Sequence, residues 1–253
     1  MTITTVLWDA DGVLQDAAPG WYDRLVAMGG PEFPQACMVA ERGPLTGDGS
    51  FADAIGELVA RFGLAVPTAT VLDIWTQITL DPEAIDLVSR VRAAGTRCVL
   101  ATNQQEHRLA AMSALGYPEL MDALYPSCHL GVAKPDPAYF HAILTAEGIE
   151  ATDALFIDDR DENVAAARHV GLAAVRHDPE SGVVGLQQIL QSYGVSSDVS
   201  TSSTGGTGVS TSSTGGTNIS TGGTGVSTSS TGGTGVSTSS TGGTGVAMGG
   251  LAR

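Results

Sequence analysis

The sequence predicts an α/β protein: a doubly wound parallel sheet with a small helical cap inserted after the first strand, followed by a Ser/Thr/Gly repeat tail. Three observations carry that reading. Four short runs, at 3–8, 96–101, 154–157 and 172–175, are almost continuously apolar, as strands buried on both faces are. Stretches with helical spacing lie between and after them, at 83–94, 105–115, 137–147 and 161–170. Gly95, Gly116, Gly148 and Gly171 each stand just past one of these stretches, where a helix ends most easily on a residue of positive φ. Strand and helix in alternation place parallel strands in one sheet.

Residues 15–80 break the rhythm. They read as helices at 21–28, 50–62 and 68–78 joined by Gly/Pro loops, with no convincing buried strand. The expected organisation is a core of residues 1–14 and 81–195, a helical cap of residues 15–80, and a low-complexity tail of residues 196–253. The tail repeats a unit close to GVSTSSTGGT and carries no charge from Val199 until Arg253. Such a composition builds no ordinary core and reads as a flexible linker or an expanded repeat. A stacked solenoid with Val199, Val209, Ile219, Val226, Val236 and Val246 inward is the other reading.

Charge and cysteine content exclude several classes. The chain has 12 Lys+Arg against 27 Asp+Glu, a net charge of -15, and no basic stripe that would neutralise nucleic-acid phosphates. Cys37, Cys98 and Cys128 are widely spaced, without a C-x-x-C pair, which fits a reducing compartment better than a disulfide framework. The first apolar run has no basic segment before it, unlike a signal peptide. No apolar run reaches the roughly 18 residues of a membrane span. The expectation is a cytoplasmic protein with neither nucleic acid nor membrane as partner.

In a parallel sheet the C-terminal strand ends share one crevice, where ligands bind. The runs place Asp9 and Asp11, then Thr102 and Asn103, then Asp158 and Asp159 at those ends, with Lys134 before a helix in the same half. Carboxylates gathered at one rim repel each other unless a cation joins them, and an all-oxygen set suits a hard ion such as Mg²⁺.

At this point the sequence resembles a known family. WDADGVL, LATN, GVAKPDPAYF and FIDDRDENVAAARHVG are similar to the four ordered motifs of haloacid dehalogenase-like hydrolases, in the branch with a helical cap after the first motif and a Rossmann-like core. The resemblance implies Asp9 as a nucleophile that forms an aspartyl-phosphate, and Asp11 as the acid and then the base. Asp9, Asp11, Asp159 and Asp158 are the expected metal group, with Asp158 either a second ligand or an outer one. Thr102, Asn103 and Lys134 are expected to bind the phosphoryl group, Lys134 also neutralising its charge. Gly12 would let the chain turn sharply, and Asn163 would lend support behind the ligands. Within the cap, Arg42 and Arg24 are the candidate substrate-facing cations.

Each residue alone admits a plainer role. Asp9 can be a turn cap, Thr102 and Asn103 can cap the next helix, and Lys134 can be solvated. Asp161 and Glu162 read as an acidic first helical turn, and Cys128 beside His129 as mere sequence neighbours. The expected function is a Mg²⁺-dependent phosphatase acting on a small phosphorylated metabolite. A phosphosugar mutase of the same fold, and a scaffold whose tail does the work, are the alternatives. Dehalogenase relatives lack an acid at the position of Asp11, so its presence argues against dehalogenation.

Overall fold

The structure, a computed structural model, describes residues 2–198; from residue 199 onward the reading of the repeat tail lies outside the described residues. β1 (Thr5–Trp8) is buried along its whole length. The chain turns back at once into β2 (Gln15–Ala17) and enters the cap: α1 (Trp21–Gly29), α2 (Phe33–Glu41), α3 (Phe51–Arg61) and α4 (Thr68–Thr76). β3 (Ile78–Leu80) returns antiparallel to β2, so the cap leaves and rejoins the core over a two-stranded stalk. Then come α5 (Pro82–Ala93), β4 (Arg97–Thr102), α6 (Glu106–Ala114), α7 (Tyr117–Leu120), β5 (Ala123–Pro126), α8 (Ser127–Leu130) and α9 (Pro137–Glu147). β6 (Ala154–Asp158), α10 (Asp161–His169), β7 (Ala173–Arg176) and α11 (Gly182–Ser192) close the core.

Five strands form one parallel sheet in the order β5-β4-β1-β6-β7, with β1 central. Alternate side chains face opposite layers, as a pleated strand requires. Val6, Trp8, Cys98, Leu100, Leu155 and Ile157 meet α5 and α11 on one face. Leu7, Val99, Ala101 and Phe156 meet α9 and α10 on the other. Trp8 is fully buried in the first layer, so it packs rather than stacking on a ligand. The cap has its own core around Trp21, Phe33, Ile55 and Trp75.

Local chemistry explains where helices begin and end. Asp81 caps α5 by accepting from the Glu83 and Ala84 amides, with Pro82 in the first turn, where its missing N–H costs nothing. Gly95, Gly116, Gly148 and Gly171 have φ of 98, 94, 66 and 97°, as their positions predict.

Several elements escape the sequence reading. β5 is a four-residue edge strand ending in Pro126, too short for a periodic signal and tolerant of proline because of its place. α2 follows a Gly/Pro cluster that reads as loop, although Pro34 sits in its first turn. α11 opens on glycine and includes Gly185, yet burial of Leu186 and Leu190 holds it to the sheet, a tertiary override of poor propensity. The expected cap segment likewise contains β2 and β3, and α4 ends at Thr76, before Ile78.

Candidate active site

The ends of β1, β4 and β6 bring the predicted residues together. Asp9 follows β1, its amide donating to the Ile157 carbonyl at 2.9 Å and so continuing the ladder. Thr102 ends β4 and Asp158 ends β6. A small cavity is lined by Asp9, Asp11, Thr102, Asn103, Lys134 and Asn163.

Lys134 occupies the centre. Its Nζ donates to Asp9 Oδ1 at 2.8 Å, Asp158 Oδ2 at 2.7 Å and the Ala101 carbonyl at 2.8 Å, using all three hydrogens of the ammonium. Asn103 fixes the backbone beneath it: Asn103 Nδ2 donates to the Lys134 carbonyl at 2.8 Å, and Oδ1 accepts the Lys134 amide at 2.9 Å. The Asn103 side chain is therefore spent on the Lys134 segment, while the residue still lines the cavity. Asp158 is fully buried and accepts from Lys134, from the Arg160 amide and from Asn163 Nδ2 at 3.0 Å on both oxygens. Asn163 thus holds Asp158 while also lining the cavity.

Oxygen atoms of Asp9, Asp158 and Asp159 lie within 4.8 Å of one another. Burial pushes the Asp9 carboxyl well above the usual range, opposed by Lys134 and reinforced by Asp158 and Asp159. Asp159 is pushed up to about 6, first by burial and then by Asp158. One ammonium does not balance three acids, so this group retains affinity for a further cation. Asp159 Oδ1 is buried and accepts no hydrogen bond from the protein, whereas the oxygens of Asp158 are occupied. An unpartnered buried carboxylate oxygen beside other oxygen donors fits a hard divalent cation such as Mg²⁺, with Asp9 and Asp159 the better-placed holders. Gly12 makes this approach possible: it has φ 75°, and a Cβ there would lie 2.7 Å from Asp159 Oδ2.

Asp11 behaves differently from the expected metal ligand. It is outside the three-acid group, and its carboxylate accepts from Gln15 Nε2 at 3.0 Å, Gln104 Nε2 at 2.8 Å and Arg108 Nη2 at 2.5 Å. Gln15, Gln104 and Arg108 carry no motif signal in the sequence; polar residues on the turn and helix adjoining the first two motifs are the clue that was there to use.

The cap cations are not brought to the cavity. Arg42 is exposed at the end of α2, and Arg24 donates to Gln77 Oε1 at 2.5 Å; neither lines the cavity. It is Glu41, beside Arg42, that turns inward and is 3% exposed. The fold also gathers Glu106, Cys128 and His129, whose ligand atoms lie within 4.8 Å, although Cys128 and His129 read as unrelated neighbours in the sequence. This second group is at the surface, where His129 Nε2 and Glu106 Oε1 pair at 2.9 Å.

A family model for haloacid dehalogenase-like hydrolases matches residues 3–171. The chain belongs to that family. Its relatives include the GMP/IMP nucleotidase YrfG of Escherichia coli, 30% identical over 111 residues, which are 43% of this chain and 50% of the relative. The phosphoglycolate phosphatase of Rhodospirillum rubrum is 33% identical over 95 residues, 37% of this chain and 39% of that one. The chain thus spans half or less of these two relatives. Among solved structures, a haloacid dehalogenase family enzyme from Bacteroides thetaiotaomicron, in complex with magnesium and inorganic phosphate, superposes with a TM-score of 0.62 at 19% identity, covering 69% of this chain and 93% of that one. At that identity the likeness is one of fold. No helix among the described residues is long and apolar enough to cross a membrane.

Proposed function

We propose that this hydrolase is a Mg²⁺-dependent phosphatase of the cytoplasm, acting on a small phosphorylated metabolite through an aspartyl-phosphate on Asp9. One observation carries the reading. Asp9 Oδ1 is tied by Lys134 Nζ at 2.8 Å and by the Ala10 amide at 2.7 Å, while among the described residues no donor is seen on Oδ2, on a residue that lines the cavity. A carboxylate held by one oxygen and open at the other is built as an oriented nucleophile.

In this reading Asp9 Oδ2 attacks phosphorus as the bond to the leaving oxygen breaks. Asp11 gives that oxygen its proton, then takes one from the water that hydrolyses the phosphoenzyme, which releases phosphate and restores both residues. Thr102 and Lys134 meet the negative charge spread over the phosphoryl oxygens. When bound, Mg²⁺ supplies further neutralisation of that charge, held by Asp9 and Asp159. The relatives named as nucleotidase and phosphoglycolate phosphatase support a monophosphate ester as the substrate class. The three free cysteines support a reducing compartment. Purified protein should release phosphate from an aryl phosphate with Mg²⁺ and stop when EDTA is added. Undiminished release in EDTA overturns the metal requirement.

A further inference from the structure

A buried guanidinium stands where the cap meets α6. Arg108, 2% exposed on α6, donates from Nη2 to Asp11 Oδ1 and from Nη1 to the Trp75 carbonyl at 3.1 Å. Trp75 belongs to α4 of the cap. Gln105 binds both sides as well: Oε1 accepts the Arg108 amide at 3.0 Å, and Nε2 donates to Glu41 Oε1 of α2 at 3.3 Å. Arg108 Nε is buried without a hydrogen-bond partner, and the Trp75 side chain lies close enough to Glu41 to hold its carboxyl down as a donor. A buried guanidinium nitrogen without a partner is unfavourable, so packing alone gives no reason to keep Arg108 in this seam.

We propose that Arg108 is the positioning residue for Asp11, and that Trp75 and Glu41 hold Arg108 so that the cap sets where the acid–base group points. The proposal rests on the phosphatase reading above. The guanidinium is planar and presents its donors in a fixed fork. Anchoring one nitrogen on the cap backbone therefore fixes the direction of the nitrogen that grips Asp11. Glu41 lies on the cap side of the fork, where the Arg108 guanidinium acts on its carboxyl.

The test uses full-length protein with Mg²⁺ and two substrates. p-Nitrophenyl phosphate has a leaving group that departs without a proton; glycerol phosphate leaves an alkoxide that needs one. In single turnover, Arg108→Gln should slow cleavage of glycerol phosphate about 100-fold or more and that of the aryl ester less than about 10-fold, since general-acid assistance is worth roughly 10²–10⁴. Arg108→Gln combined with Asp11→Asn should be no slower than Asp11→Asn alone, because the two act as one unit. Glu41→Gln, which keeps the shape of the seam, should show the same leaving-group bias more weakly, and it carries the test if Arg108→Gln does not fold. Equal losses on both substrates, or losses that multiply in the double variant, overturn the proposal. A wild-type protein that cleaves neither ester removes the phosphatase reading itself, which is a different failure.

Discussion

Lys134 Nζ stands 2.8 Å from Asp9 Oδ1 while its second hydrogen binds Asp158 at 2.7 Å. One buried cation therefore orients the proposed nucleophile and answers a fully buried acid. Removing one partner of a buried pair leaves an uncompensated charge, at a cost of about 3–5 kcal/mol. Lys134→Ala should lose stability of that order in guanidinium unfolding and turnover of at least about 100-fold. A variant as stable as wild type would show that Asp9 and Asp158 do not depend on this ammonium.

Gly12 is the second point where geometry makes a sharp demand. Its left-handed backbone costs a side chain about 1–2 kcal/mol, and a Cβ would press on Asp159 Oδ2. Gly12→Ala should weaken Mg²⁺ binding about tenfold or more, measured by titration calorimetry, with a modest loss of stability. Unchanged affinity would mean that Asp159 can yield without leaving the metal group.

Glu41 predicts a pH dependence of stability. Burial pushes its carboxyl to about 7, from 4.5, against the Gln105 hydrogen bond and the nearby Arg108. Between those values the folded protein holds a proton that the unfolded chain has lost, so stability falls as pH rises and the loss is complete above about 7. Glu41→Gln has no proton to lose. Without metal, it should exceed wild type by on the order of 3 kcal/mol near pH 8 and differ little near pH 5. Denaturant unfolding at the two pH values checks this; equal pH slopes in the two proteins would contradict it.

Much of this was legible in the sequence because the core signals are local. Asp9, Thr102 and Asp158 end apolar runs, and an apolar run that stops at an acid or hydroxyl marks a strand end whatever the rest of the chain does. Gly95 and Gly148 mark helix ends for an equally local reason. What stayed hidden depends on distance. Gln104 and Asp11 are 93 residues apart, and Arg108 and Trp75 are 33 apart; no spacing rule announces such pairs. Arg42 reads as a cation in a glycine-rich loop, yet helix phase turns it outward and its neighbour Glu41 inward. Cys128, His129 and Glu106 meet only because α6 and α8 begin side by side.

The most direct test asks whether Asp9 carries the phosphoryl group. Protein is mixed with an aryl phosphate and Mg²⁺, quenched in acid within one turnover, and digested with trypsin. The peptide ending at Arg24 should gain one phosphoryl group, removable by hydroxylamine, and Asp9→Asn should give neither the adduct nor turnover. Hydrolysis that persists in Asp9→Asn, or an adduct on any other peptide, would contradict the account.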